Sequence, residues 1–164
     1  MQTNKIAFGG GCHWCTEAVF QSLQGVAEVN QGWVASTDKN STFSEAVIVH
    51  FNPVEINLKD LISIHLATHK STSNHSMRKK YRSAIYVFSN QQKIESENIL
   101  TEIQENTASQ IITQILPFSE FKPSENQFQN YYKKNPQKPF CKKYILPKLK
   151  LISNQFTANA IVKN

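Results

Sequence analysis

Two cysteines, Cys12 and Cys15, lie three positions apart directly after three consecutive glycines. The short apolar run before the glycines and the helical spacing after them predict that Cys12 lies where a strand passes into the first turn of a helix. The unpaired N–H groups of a first turn carry partial positive charge, which lowers the pKa of a thiol and favours the reactive thiolate. Cys12 is therefore the candidate nucleophile.

The spacing of the two cysteines supports three interpretations. They are a thioredoxin-like redox pair, half of a zinc site completed by histidines, or a single nucleophile beside a core cysteine. Cys15 shares a helical stripe with Val19 and Leu23, which favours the third interpretation because free cysteine is among the most buried residue types. The chain has no second pair of cysteines at this spacing, so we expect no metal. The histidines that could complete a zinc site are His65, His69 and His75.

A carboxylate, Glu45, lies on the apolar face of a predicted strand. It has the same parity as Val47, Val49 and Phe51, and side chains two residues apart in a strand point to the same face. Desolvation by apolar neighbours favours the neutral form of a carboxyl group. The pattern therefore predicts a buried proton donor, a group that can act as a general acid.

The composition is that of a single globular domain, with 164 residues, 40% of them hydrophobic, and a formal net charge of +6. Residues 126–164 hold eight lysines and no acidic residue. No nucleic-acid-reading motif accompanies this charge, so we interpret it as a solvated surface. No run approaches the roughly 18 apolar residues of a membrane span, and the cysteines do not form a secreted disulfide framework. We expect a cytoplasmic protein without a signal peptide and without membrane or nucleic-acid partners.

The predicted elements follow the order strand, helix, strand, strand, helix, strand, and then a further helix and strand. This is the βαββαβ order of a ferredoxin-like two-layer sandwich of the α+β class, with helices packed on one face of a sheet. The connection near Asp38 is too short for a crossover helix, which disfavours a fully parallel sheet. We expect one catalytic domain over residues 1–150 with a largely irregular C-terminal tail. Residues 151–164 form an expected extension without a strong structural signal.

Five segments of the chain resemble, in the same order, the motifs of the type A peptide-methionine sulfoxide reductases. Together they span about residues 5–150. Five matches in order are specific to one family, whereas the two cysteines alone are not. The matching segments are 11–17 (GCHWCTE), 32–35 (GWVA), 45–53 (EAVIVHFNP), 81–86 (YRSAIY) and 131–149, which contains YYKKNP and ILPKL.

The resemblance implies a reaction and the residues that carry it. Cys12 is expected to attack the sulfur of methionine S-sulfoxide, Glu45 to protonate the departing oxygen, and Tyr81 to assist by hydrogen bonding. The resulting sulfenic acid is expected to form a disulfide with Cys141, with Cys15 as the rival resolving thiol. The resemblance further implies that thioredoxin reduces the disulfide and that no cofactor is needed.

Four further residues are expected at the substrate. Trp14 offers the largest apolar surface near Cys12 for the S-methyl group, and His13 stands where the family usually has phenylalanine. Trp33 is a candidate donor to the sulfoxide oxygen because a family tyrosine is missing, and Ser76 stands in place of an acidic residue that holds the substrate amide. These departures motivate an alternative, a degenerate member that senses oxidised methionine or oxidants without turnover. A zinc module is the third hypothesis.

Overall fold

A computed structural model describes residues 3–156, which contain a six-stranded sheet. The strands are β1 (Asn4–Gly9), β2 (Val26–Ala35), β3 (Ser44–Phe51), β4 (Ala84–Val87), β5 (Gln114–Pro117) and β6 (Glu120–Pro123). They lie in the order β5-β4-β1-β3-β2-β6. Neighbouring strands are antiparallel except for β4 and β5, which run parallel.

The helices complete a ferredoxin-like arrangement. They are α1 (His13–Gln21), α2 (Leu58–Ala67), α3 (Asn90–Glu105), α4 (Tyr131–Lys134) and α5 (Leu146–Gln155), and a π-helical turn, Cys141–Ile145, leads into α5. Helices α1 and α2 connect β1 to β2 and β3 to β4, and the four strands lie in the order β4-β1-β3-β2. The predicted α+β class and βαββαβ core are therefore confirmed.

The main core lies between the sheet and the helices. Phe8 of β1 and Val47 and Val49 of β3 are fully buried in it. Phe8 stacks on Phe20 of α1 with the ring centroids 4.8 Å apart. Burial of each such side chain stabilises the fold by roughly 1.5–3 kcal/mol. This packing fixes the first turn of α1 beside the C-terminal end of β1.

The connection from β1 to α1 is a glycine turn. Gly10 has a φ of +152°, and a Cβ added there would lie 2.5 Å from a ring carbon of His69. A side chain at this position is therefore excluded both by backbone strain and by the neighbouring ring. The tight turn delivers Cys12 directly to the N-cap position of α1.

The C-terminal segment differs from the expected irregular tail. It forms the π-helical turn and α5, with Ile145 and Ile152 fully buried. Leu149 lies between them in sequence, so the apolar residues recur at helical spacing, a signal that the many intervening lysines obscure. Helix α5 continues through Gln155, beyond the expected boundary at residue 150, whereas residues 157–164 of the expected extension lie outside the described residues.

The segment Ser124-Glu125-Asn126-Gln127 has the pattern of a capping box, which predicts Ser124 as a helix cap. Its hydroxyl donates instead to Oε1 of Gln31 at 2.7 Å. A short 3-10 turn, Asn126–Phe128, follows and has no side-chain cap. Strand β6, which the sequence analysis does not predict, is four residues long and pairs with β2. Its short length and single half-buried aromatic residue explain why alternation does not reveal it.

Candidate active site

Cys12 is the N-cap residue of α1, and its side chain is partly exposed. The pKa of Cys12 is lowered chiefly by a hydrogen bond from the Cys15 thiol, with further bonds from the backbone N–H groups of Trp14 and Cys15. Burial and the nearby Glu45 carboxylate act in the opposite direction, and the net shift is downward. The helix terminus predicted from the sequence is present and favours the thiolate.

The three cysteines, all free thiols, share one small apolar cluster. Cys15 and Cys141 are buried in it with Ala18 and Ile145, and Cys12 packs against them. The pKa of Cys15 is raised, mainly because its S–H group is bonded to Cys12, and burial raises the pKa of Cys141. Cys12 is therefore the thiol of the three that is primed for nucleophilic attack.

Cys141 lies in the π-helical turn and not in an irregular tail, the structure that the sequence predicts for the C-terminal part of the chain. Its side chain is completely buried, and its S–H group donates to the carbonyl of Asn135 at 3.5 Å. The adjacent Lys142 and Lys143 are exposed. A helical turn places neighbouring residues on different faces, so the lysines face solvent while the cysteine faces α1.

Glu45 is buried beside the start of α1, as its parity with the apolar face of β3 predicts. Its Oε1 accepts the backbone N–H of His13 at 3.2 Å and lies 3.4 Å from Nε2 of the same residue. The other ring nitrogen of His13, Nδ1, is 2.6 Å from the carbonyl oxygen of Gly32. His13 therefore lies wedged between β2 and the carboxyl group, a contact that the sequence does not predict.

Lys80 joins Glu45 to Tyr81. Its Nζ lies 3.8 Å from Oε2 of Glu45 and 5.1 Å from the centroid of the Tyr81 ring. The Tyr81 hydroxyl, followed by the charges of Glu45 and Cys12, raises the pKa of Lys80. The backbone N–H of Glu45 also donates to the Lys80 carbonyl at 3.0 Å, which ties β3 to this loop. Lys80 is not among the site residues predicted from the sequence, and its one signal there is its position directly before the YRSAIY motif.

Trp14 lies in an aromatic cluster formed with the C-terminal segment, here residues 128–155. Its ring stacks on Tyr131 with a centroid distance of 4.2 Å and an interplanar angle of 8°. Phe128 stacks at 5.7 Å and Phe140 meets the ring edge-on at 5.4 Å. Nε1 of Trp14 is buried and has no hydrogen-bond partner within residues 3–156. The expected apolar wall beside Cys12 is thus shared by four aromatic side chains.

Trp33 and Ser76 differ in their distance from these residues. Trp33 lies opposite Glu45 in the β2–β3 ladder and contacts the His13 ring edge-on at a centroid distance of 5.1 Å. Ser76 is exposed in a single 3-10 turn, Ser76–Lys79. Its side chain has no hydrogen bond to any other residue that the structure describes. The structure therefore groups Trp33 with the site residues and leaves Ser76 at the surface.

Glu17, the last residue of the GCHWCTE motif, attaches the C-terminal segment to α1. Its carboxylate accepts the backbone N–H groups of Asn130 and Tyr131 at 2.9 and 3.1 Å. It also accepts Nε2 of Gln31 at 3.0 Å. Burial raises the pKa of Glu17 although these donors oppose the shift. No role for Glu17 is predicted from the sequence, because nothing local shows that its two backbone partners are more than 100 residues away.

Behind the thiols lies a small cavity of about 40 Å³. Lys148 reaches it from α5 and donates to the Thr68 carbonyl, and burial lowers the pKa of Lys148 while Cys15 and Cys12 oppose the shift. His65 and His69 line the cavity and bond to the backbone of Gly9 and to the side chain of Ser83, respectively. Within residues 3–156 no three His, Cys, Asp or Glu side chains are grouped closely enough to hold a metal ion.

Comparison with known proteins accounts for this arrangement of residues. The family model described as peptide methionine sulfoxide reductase matches residues 4–160. The chain belongs to this family. It is 32% identical over 166 residues to the peptide methionine sulfoxide reductase MsrA of Acinetobacter baumannii, a match covering 93% of this chain and 95% of the relative.

Solved structures of related proteins have the same fold. An oxidised form of Mxr1 from Saccharomyces cerevisiae superposes with a TM-score of 0.70 at 26% identity, covering 83% of this chain and 84% of that chain. The same yeast protein in complex with Trx2 gives a TM-score of 0.63 at 24% identity, covering 77% and 84%. The fold predicted from the sequence is thus that of experimentally determined family members.

Proposed function

We propose that the protein reduces the S-epimer of methionine sulfoxide in peptides, using Cys12 as the nucleophile. The observation that carries the proposal is the lowered pKa of the Cys12 thiol at the start of α1, directly beside the buried Glu45 carboxyl group. Membership of the reductase family supports the reaction class. The catalytic unit that we propose is a single domain that includes the C-terminal helices.

The first step transfers oxygen from the substrate to Cys12. The thiolate attacks the sulfoxide sulfur and forms a transient S–S bond while the sulfoxide oxygen takes one proton. The substrate S–O bond and the transient S–S bond then break, and the oxygen forms a new S–O bond to Cys12, which leaves methionine and a sulfenic acid. The substrate sulfur is reduced by two electrons and the Cys12 sulfur is oxidised by two. Sulfoxide oxygen is a poor leaving group until it is protonated, and Glu45 is the acidic side chain in contact with the start of α1. Tyr81 and Lys80 supply further donors on the same side.

The second step removes the oxygen as water. We propose that the Cys141 thiol attacks the sulfenic acid and forms a Cys12–Cys141 disulfide, with Cys15 as the rival resolving thiol. The proposal is supported by the common cluster in which all three side chains pack. Thiol exchange with thioredoxin would then restore both thiols. The yeast relative determined in complex with Trx2 supports this choice of reductant.

The substrate S-methyl group requires an apolar surface next to Cys12. Trp14 provides the nearest candidate, and the rings of Tyr131 and Phe140 from the C-terminal segment extend it. We propose that Trp33 lies on the opposite side, near the sulfoxide oxygen, because it faces Glu45 across the ladder. The exposed position of Ser76 makes it a candidate contact for the peptide around the methionine.

The hypotheses of a sensor without turnover and of a zinc module have less support. The thiol with a lowered pKa and the carboxyl group of a reductase are both present, and a sensor would not require them.

Within residues 3–156 no helix is long and apolar enough to cross a membrane. A cytoplasmic location and the lack of membrane or nucleic-acid partners stay predictions of the sequence.

The test of the proposed function is a single-turnover assay on separated S and R epimers of a dabsylated methionine sulfoxide, with the enzyme fully reduced beforehand. The wild-type protein should release close to one equivalent of methionine from the S epimer, and Cys12→Ser should release none. The R epimer is the control for non-specific reduction by carried-over thiol. Activity that persists in Cys12→Ser, or no release from either epimer by the wild-type protein, contradicts the function.

A further inference from the structure

His13 and Glu45 contact each other twice in a buried setting. Their side chains are 7% and 9% exposed. The backbone N–H of His13 donates to Oε1 of Glu45 at 3.2 Å, and Nε2 of the His13 ring lies 3.4 Å from the same oxygen. The first residue of α1 and the second residue of β3 therefore fix each other's position.

The contacts of the imidazole ring decide where its protons lie. Nδ1 of His13 is 2.6 Å from the carbonyl oxygen of Gly32, which can only accept, so Nδ1 carries a hydrogen. A neutral ring then presents a lone pair at Nε2. An ionised carboxylate also presents only lone pairs, and two acceptors facing each other at 3.4 Å repel. A proton on either Nε2 or Oε1 would remove this repulsion.

We propose that His13 is a positioning residue that shares one proton with Glu45, and that this pair, rather than an isolated carboxyl group, supplies the proton to the sulfoxide oxygen. The inference rests on the proposed reductase function. It assigns to His13 a role different from the methyl-pocket contact that the sequence suggests. The pair is neutral as a unit, either as imidazole with carboxyl or as imidazolium with carboxylate.

Several charged groups face the pair and influence the shared proton. Lys80, from the loop before β4, and the His13 backbone N–H stabilise negative charge on Glu45. The Glu17 carboxylate of α1 favours positive charge on the His13 ring. The Cys12 thiolate and the Glu45 carboxylate repel each other. The shared proton needs both binding atoms, so a variant without the ring nitrogens should react more slowly where solvent protons are scarce.

The proton balance of the reaction follows from this arrangement. The reactants are the protonated pair, the Cys12 thiolate and the sulfoxide. The products are the deprotonated pair, the Cys12 sulfenic acid and methionine. Each side carries one negative charge. Resolution by Cys141 then forms the disulfide and releases water. After thioredoxin restores the thiols, ionisation of Cys12 releases the proton that returns to the pair. No further reductant or oxidant is needed.

The kinetic test compares single-turnover rates of the wild-type protein and two variants from about pH 5.5 to 9. His13→Phe keeps a flat ring without nitrogen, and His13→Gln keeps polar atoms that cannot carry the extra proton. Loss of a general acid commonly costs about 10²–10⁴-fold where the proton is scarce. We expect both variants to fall at least tenfold below wild type at pH 8.5 but to stay within about threefold at pH 6. The control is His50→Phe, a histidine on β3 that bonds Asn30 away from the site, and its profile should match the wild type.

The spectroscopic test does not depend on activity. Nitrogen-15 spectra of the reduced wild-type protein should show Nδ1 of His13 protonated over this pH range, and Glu45→Gln should shift the Nε2 signal. The hypothesis of a shared proton is overturned if the neutral ring is protonated at Nε2, or if Glu45→Gln leaves the nitrogen signals unchanged. If the His13 variants have wild-type activity and pH profiles that superimpose on that of the wild type, only the proposed role of the pair is overturned. A wild-type protein that releases no methionine at any pH removes the proposed function as well.

Discussion

At the scale of single residues, the reactivity of Cys12 is the net result of opposing effects on the pKa of its thiol. Three hydrogen bonds, from the Cys15 thiol and two backbone N–H groups, stabilise the thiolate, whereas burial and Glu45 destabilise it. Each pKa unit corresponds to about 1.4 kcal/mol, so the loss of one such bond changes the thiolate fraction by a measurable factor. The second cysteine of the CxxC segment therefore acts on the first through its S–H group, whichever thiol resolves the sulfenic acid.

Two other buried residues, His65 and His69, make the stability of the fold depend on pH. Burial lowers the pKa of His69 from 6.5 to about 4 and that of His65 well below 6.5. The unfolded chain binds these protons near pH 6.5 while the folded chain does not, so stability is complete above pH 6.5 and falls as the pH drops toward 4. His69 alone accounts for up to about 3 kcal/mol across this window.

Urea denaturation at intervals between pH 7.5 and 4.5 measures this effect. The free energy of unfolding should decrease below pH 6.5 with a slope approaching about 2.7 kcal/mol per pH unit for the two histidines. His69→Gln should lower that slope by up to half, even if its stability at pH 7.5 is also reduced. A free energy that is constant between pH 6.5 and 5, above the range where most carboxylates titrate, would contradict the prediction.

At the scale of elements, the site is assembled from the start of α1, the start of β3, the loop before β4 and the C-terminal segment. Glu17 provides the connection between the first and the last of these, because it accepts two backbone N–H groups at the entrance to α4. Asn130 adopts a left-handed conformation with a φ of +57° there, which the bond to Glu17 helps to hold. Docking of the segment in turn places Tyr131 and Phe140 on Trp14.

Replacing Glu17 with Gln should loosen this attachment. The amide has one acceptor oxygen, so one of the two backbone donors loses its partner in a partly buried place, at a cost of about 1–3 kcal/mol. We expect hydrogen exchange in residues 130–152 to become at least about fivefold faster, with little change in the sheet. Glu125→Gln is the matched control, since that glutamate is exposed in the same segment. Equal exchange in the Glu17 and Glu125 variants would show that Glu17 does not hold the segment.

At the scale of the whole molecule, the chain closes on itself around the thiols. The ferredoxin-like core presents Cys12 and Cys15 at one end of α1, and the last helices return to cover them with Cys141, Ile145 and Leu149. Lys148 from α5 reaches the back of the same site. The basic C-terminal quarter of the sequence thus contains both an apolar face that packs on α1 and the exposed lysines that account for its charge.

Replacing Cys141 with Ser tests the function of this returning segment. The variant should release about one equivalent of methionine in a single turnover but lose thioredoxin-driven cycling, because the sulfenic acid on Cys12 finds no resolving partner. Coupled oxidation of reduced thioredoxin measures cycling, and Cys15→Ala is the comparison. Full cycling in Cys141→Ser, together with its loss in Cys15→Ala, would assign resolution to Cys15.

The sequence by itself determined the ferredoxin-like core, the position of Cys12 at a helix start and the burial of Glu45. These features follow from local rules, since period-2 and period-3.6 patterns and a glycine turn act over a few residues. The tertiary structure alone decided three contacts: His13 with Glu45, Lys80 with Glu45, and Glu17 with Asn130. These contacts join residues as many as 113 positions apart in the chain. Such a pairing depends on how the sheet and the helices pack, so it leaves no local pattern in the sequence.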